Sequence, residues 1–285
     1  MKITEIGKIY GGQDGAIFGH ELFRLSEKGP CTVYDLSAVP FGGKATVKAT
    51  FTLGSAELLV PHSNAVCFGC DYYAEGDEYP LLYTNVYNNC AGKDDPRIGE
   101  CCVYRITREG ESYRADLVQL IAIGFCEDAA LWKASPEGHG VRPYGNFLVD
   151  TDTRSYYAYV MRNEELGTRY FRFDLPSVHE GEIDPVLGVR RFVLGACDIR
   201  DRFDLPFCRF VQGGIIHGGM LYSTEGFTDS KQNPPAIRAL DLKGRCETYY
   251  SLPALGIREE PEMIDFMDGV CYYSDAVGRL YTVSF

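Results

Sequence analysis

The sequence has no long apolar run. Its longest, at residues 117–125, is far short of the roughly 20 residues a membrane-spanning helix needs, so no membrane partner is expected. Positive charge is also scarce. Lys and Arg number 28 against 40 Asp and Glu, a net charge of −12. Such a surface repels phosphate backbones, which argues against nucleic acid. Helical patterning is nearly missing, because no long stretch keeps apolar residues at i, i+3, i+4 and i+7. Nor does the chain open like a secretory signal. MKITEIGKIY at residues 1–10 is broken by Glu5, Gly7 and Lys8, so a cytoplasmic location is expected. No GxGxxG, P-loop, HExxH or GxSxG motif occurs.

What remains is a chain of short runs rich in Val, Ile, Tyr and Phe, cut by clusters of Gly, Asn, Asp and Pro. These read as strands and turns. Hydrophobic residues make up 45% and charged residues 24%, which suits a soluble globular protein and excludes a disordered one. The eleven cysteines are odd in number, and most sit inside strand-like runs such as Val66-Cys67-Phe68 and Val270-Cys271-Tyr272. There they behave as small hydrophobes, and all are expected to be reduced. Cys67 and Cys70 have metal-knuckle spacing, but no second such pair stands beside them.

One unit recurs five times. Its first strands fall at residues 15–19, 64–69, 146–150, 213–218 and 263–267. Its second strands fall at 21–25, 80–86, 155–161, 219–224 and 270–274, and its third at 32–36, 102–106, 170–175, 237–242 and 280–285. A fourth strand follows in four units, at 46–53, 114–124, 190–196 and 247–252. The fifth unit lacks one, and a spare strand stands at residues 3–10. This is the pattern of an all-β, five-bladed β-propeller with four-stranded antiparallel blades, the last closed by the N-terminal strand. The expected blades are about 11–55, 61–125, 143–200, 207–255 and 258–285 with 1–10, forming a single domain. A β-sandwich would show similar punctuation; the missing last strand, matched by a spare first one, favours the propeller.

In a propeller the innermost strands run down a central channel, so their starts ring one mouth. Those starts bring Asp14, His62 with Asn64, Arg142 with Tyr144 and Asn146, Gln212, and Glu262 to one place. A channel that only needed packing would show small apolar residues there. Asp14 and Glu262 are the candidate catalytic carboxyls, because the closing blade lies beside the first. His62, Asn64, Arg142, Tyr144, Asn146 and Gln212 are candidate ligand-binding groups. His217, deeper on its strand, is the candidate metal ligand. Bland roles compete with these: Asp14 precedes Gly15 as turn residues do, and the acidic stretch 259–262 suits a solvated loop.

The five-unit layout with a polar ring at one mouth resembles the five-bladed glycosidase propellers of the arabinanase and sucrose-hydrolase type. In those enzymes an Asp lies on the first inner strand, an Asp on the second and a Glu on the third. Asp14 matches the first position, His62 and Asn64 stand at the second, and Asn146 at the third. The resemblance implies a calcium ion in the channel with a histidine ligand, which His217 would supply. The runs 61–69 (PHSNAVCFG), 79–87 (YPLLYTNVY) and 142–150 (RPYGNFLVD) are also similar to uncharacterised propeller proteins of gut bacteria. Two functions are therefore expected to compete. One is binding of a small polar ligand, a sugar above all, at the mouth, with glycoside hydrolysis if two carboxyls converge. The other is a non-catalytic scaffold for a protein partner.

Overall fold

The first strand of the chain pairs with its last. In the computed structural model, which describes residues 1–39, 41–86, 99–125, 144–208 and 210–285, β1 (Lys2–Lys8) runs antiparallel to β22 (Arg279–Ser284). Lys2 faces Ser284 and Thr4 faces Thr282. This pairing completes the sheet begun by β20 (Pro261–Met267) and β21 (Val270–Asp275). A five-bladed β-propeller is thereby closed by its N-terminal strand. Past β1 the chain crosses to the first blade, where Lys8 accepts the Ala45 amide and donates to Gly43, both at 2.8 Å.

Blade 1 holds β2 (Gly15–Phe18), β3 (Glu21–Leu25), β4 (Pro30–Asp35) and β5 (Thr46–Thr52). Blade 2 is built on β6 (Val66–Phe68), β7 (Leu82–Val86), β8 (Glu100–Glu109) and β9 (Ser112–Ile123). Blade 3 has β10 (Tyr144–Asp150), β11 (Ser155–Asn163) and β12 (Gly167–Asp174). Blade 4 has β16 (Val211–His217), β17 (Met220–Glu225), β18 (Ala236–Asp241) and β19 (Cys246–Ser251). Blade 5 is the closing sheet.

The outer strand of blade 3 is not the one the sequence suggests. The run expected there, 190–196, forms β14 (Arg190–Leu194), which pairs in parallel with β9 on the outside of blade 2. A short β13 (Glu182–Ile183) extends that sheet to six strands. The outer place on blade 3 goes to β15 (Asp201–Leu205), opposite β12. The physical reason lies in β14's contacts. Arg191 reaches the buried Glu100 carboxylate with its Nε at 3.0 Å and Nη2 at 2.5 Å. Leu194 joins the main apolar core, and its carbonyl accepts the Gly124 amide at 2.8 Å. Upstream, Gln119 donates its amide to the carbonyls of Ser177 at 2.7 Å and Glu180 at 3.0 Å. The polar requirements of blade 2 thus capture this segment.

The core sits between blades. Alternate residues of neighbouring sheets meet there, as pleat geometry requires. Cys67, Phe147, Ile215 and Ile264, from four inner strands, share one cluster with second-strand aromatics such as Tyr83, Tyr156 and Tyr273. Phe147 stacks on Tyr156 at 5.6 Å between ring centroids. No disulfide joins the nine described cysteines; Cys90 and Cys126 lie outside the described residues.

Candidate functional site at the channel mouth

The inner strands of blades 3, 4 and 5 share one irregularity. Their pairing register slips between Tyr144 and Asn146, between Val211 and Gly213, and between Pro261 and Met263. Each slip lies at the start of its strand, at the mouth. A bulge inserts a residue and re-aims its side chain, and the inserted residues on blades 4 and 5 are Gln212 and Glu262. Gly213 is required beside them. A Cβ there would sit 2.2 Å from the Glu262 carbonyl oxygen and 3.0 Å from the Asp14 carboxyl carbon. Asp14, Gly213 and Glu262 therefore meet at one point.

Asp14 is fully buried at this point. Its Oδ1 accepts the Gly15 amide at 2.8 Å, and its Oδ2 accepts those of Val66 at 2.9 Å and Gly214 at 3.2 Å. One carboxyl thus joins the inner strands of blades 1, 2 and 4. Burial pushes its pKa well above the usual carboxylate range, against the pull of these amides and of the Arg24 charge.

Glu262 is also buried, and its Oε2 meets no hydrogen-bond partner. Burial raises its carboxyl as well, opposed by Arg24 and reinforced by Glu260, Asp14 and Glu27. Arg24, from β3, lies within electrostatic reach of both groups, with only 2% of its surface exposed. Its Nη2 donates to the Gly12 carbonyl at 2.9 Å and, more weakly, to that of Asp275 at 3.5 Å. Its Nε and Nη1 have no acceptor. Glu262 and then Asp14 act most strongly on its charge, yet among the described residues it forms no ion pair with either.

The two asparagines differ. Asn64 donates Nδ2 to the Val211 carbonyl at 3.3 Å and accepts the Asn85 amide at 2.6 Å. It ties blade 2 to blade 4. Asn146 is fully buried, and neither end of its amide has a partner. Ser63, whose backbone takes φ 62°, is likewise buried with a free hydroxyl.

At the rim, Gln212 donates to Glu260 and, at 3.5 Å, to the Gly226 carbonyl. His62 is half-buried, with Nδ1 3.5 Å from Glu27 Oε1. Burial lowers its pKa and Glu27 raises it. Beyond Gln212, Phe210 is exposed at φ 52°, its ring 4.4 Å from that of Phe227. Arg142 and the Tyr144 side chain lie outside the described residues.

His217 does not join this group. It ends β16 at the opposite end of the channel, where it is exposed and stacked on Phe266 at 4.2 Å. The start of an inner strand and its end lie at opposite faces, so a residue six positions on cannot serve the same mouth. Among the described residues no three His, Cys, Asp or Glu side chains converge to hold a metal ion. Among the described residues, none joins the expected calcium ligand His217 in such a set.

Sequence reasoning missed Arg24 because it looked only at inner strands. The available signal was a charged residue inside the apolar run Leu22-Phe23-Arg24-Leu25. The register places Arg24 opposite Gly15, one step from Asp14.

No protein-family model matches the chain, and no curated protein matches it. Solved structures do. Hydrazine synthase of Kuenenia stuttgartiensis aligns over 92% of this chain and 61% of its own, at 10% identity and a TM-score of 0.41. BamB of Moraxella catarrhalis aligns over 95% and 71%, at 9% identity and 0.34. A nidogen–laminin complex gives 95% and 72%, at 13% identity and 0.36. The chain thus spans less than two thirds of the hydrazine synthase chain. No helix among the described residues is long and apolar enough to cross a membrane.

Proposed function

We propose that the mouth binds a small polar ligand of carbohydrate type. The observation that supports this is the set of buried polar atoms without partners: Arg24 Nε and Nη1, Ser63 Oγ, both amide atoms of Asn146, and Glu262 Oε2. Each such atom costs about 1–3 kcal/mol if left unsatisfied. The set holds both donors and acceptors, and a ligand hydroxyl can serve either. Phe210, exposed beside Gln212, adds an aromatic face of the kind that ligand sites place next to polar anchors.

Binding suits the geometry better than glycoside cleavage. A retaining enzyme needs two free carboxyls about 5–5.5 Å apart, and an inverting one about 6.5–9.5 Å. Glu262 has a free oxygen, but both oxygens of Asp14 already accept backbone amides. Asp14 holds the mouth together, and Glu262 meets the ligand. The test is a thermal-shift and calorimetric screen of mono- and oligosaccharides against the full chain, Glu262→Ala and Asn146→Ala. A stabilising sugar whose effect both variants lose supports the reading; no response across the panel refutes it.

A protein-interaction role draws on a different observation. Ile183 and Val186 are 58% and 65% exposed beside β13, and Val193 on β14 is 47% exposed. If this apron is the functional surface, Val193→Glu abolishes partner capture and leaves sugar binding untouched.

A further inference from the structure

We propose that the ligand carries a carboxylate, seated between Arg24 and Glu262, so that the site takes an acidic sugar in preference to its neutral twin. This rests on the reading of the mouth as a sugar site and specifies its substrate class.

The argument starts from Arg24. A guanidinium stays charged in proteins, and burying that charge is costly unless an acceptor of opposite sign meets it. No protein group does so here. The Asp14 oxygens are committed to the amides of Gly15, Val66 and Gly214. Glu262 keeps an unpartnered oxygen and forms no hydrogen bond with Arg24. Arg24 Nη2 already serves the Gly12 carbonyl, and two further nitrogens are idle.

The remaining groups also favour an acceptor-rich ligand. Asn146 brings an idle amide donor and Ser63 an idle hydroxyl. Burial of Glu262, with the charges of Glu260, Asp14 and the more distant rim residue Glu27, favours its protonated, hydrogen-donating form against the pull of Arg24. A carboxylate supplies two oxygens with about four lone-pair sites and cancels the buried charge. A neutral hydroxyl supplies one oxygen and leaves the charge bare. Tyr34 and Asp275 also act on Arg24, but Tyr34 OH accepts the Tyr10 amide and the Asp275 carboxylate is engaged by Arg279. The exposed Glu27 at the rim repels an acid only through solvent, where salt screens it.

The experiment is calorimetry on the full chain with matched pairs, glucuronate against glucose and galacturonate against galactose, at pH 6 and pH 8. The expected result is at least tenfold tighter binding of one acid than of its neutral twin. Arg24→Gln removes that preference and Arg24→Lys restores part of it. Should the Arg24 variants not fold, Glu262→Gln decides. It keeps a neutral hydrogen-bond donor beside Arg24, so it retains the preference for the acid over its neutral twin, and loss of that preference overturns the proposal. Equal binding of acid and neutral twin overturns the acid preference and leaves the sugar site standing. No binding of either, with only ordered water found against Arg24 and Glu262, overturns both.

Discussion

Asp14 and Gly214 stand on blades 1 and 4 and are joined across the channel, the Gly214 amide donating to Asp14 Oδ2 at 3.2 Å. Asp14→Asn would place an NH2 group among amides that need an acceptor. The expected cost is about 2–4 kcal/mol, since a buried acceptor of backbone amides is lost and a donor is stranded. Glu262→Gln at the same mouth should cost under about 1 kcal/mol, because Oε2 has no partner to lose. Urea denaturation of both variants checks the contrast. Equal losses would show that Glu262 is as structural as Asp14.

The asparagines should separate in the same way. Asn64→Ala removes two buried hydrogen bonds, one from Asn85 Nδ2 and one to the Val211 carbonyl, and should cost about 1–3 kcal/mol. Asn146→Ala strands nothing and removes two unsatisfied buried atoms, so it should not destabilise the protein. Thermal melts of the two variants compare them directly.

Asp265 gives a pH dependence with a defined sign. It is buried, accepts the Ile17 and Phe266 amides at 2.6 and 2.7 Å, and is pushed by burial from 3.8 up to about 7. The folded protein therefore holds this proton more tightly than the unfolded chain. Stability falls as pH rises from about 4 to about 7, by about 4 kcal/mol at most. Asp265→Asn has no such proton to lose. Its stability relative to wild type should climb across that window, and a flat difference would contradict the assignment. Glu21, Asp77 and Asp204, whose values are lowered, have the opposite dependence. They are common to both proteins and cancel.

Arg191→Ala should destabilise blade 2 by about 3 kcal/mol, because it removes an ion pair to a buried carboxylate. Hydrogen exchange should quicken first at the amides of β14. The paired replacement Glu100→Gln with Arg191→Met should recover part of the loss.

Removal of residues 1–10 bares the edge of β22. An unpaired edge recruits other chains, so light scattering should detect aggregates. A monodisperse truncated protein with an unchanged Tm would show that β1 contributes nothing to closure.

Much of this architecture is legible along the chain, because each blade repeats the same alternation of apolar strand and polar turn. The spare strand at the start, β1, even reveals how the circle closes. The RRFVL run at residues 190–194 shows where this reading stops. Its composition says strand, but its partner is chosen by Glu100, some 90 residues away, and local pattern carries no record of that. The mouth divides similarly. Asp14, Asn64, Asn146, Gln212 and Glu262 follow from strand starts alone. The bulges that re-aim Gln212 and Glu262 have no sequence mark, and Arg24 comes from a second strand. His217, expected deeper on its strand, lies at the strand's far end, apart from the mouth.

The displaced strand β14 has a consequence for how the protein is made. Blade 2 is not whole until residue 194 has left the ribosome, by which time three strands of blade 3 already exist. The two blades therefore mature together, and melting either one releases a strand of, or a tether to, the other. This propeller assembles less like beads added in turn than like two clasped hands, with a slow long-range step that local strand pairing cannot bypass.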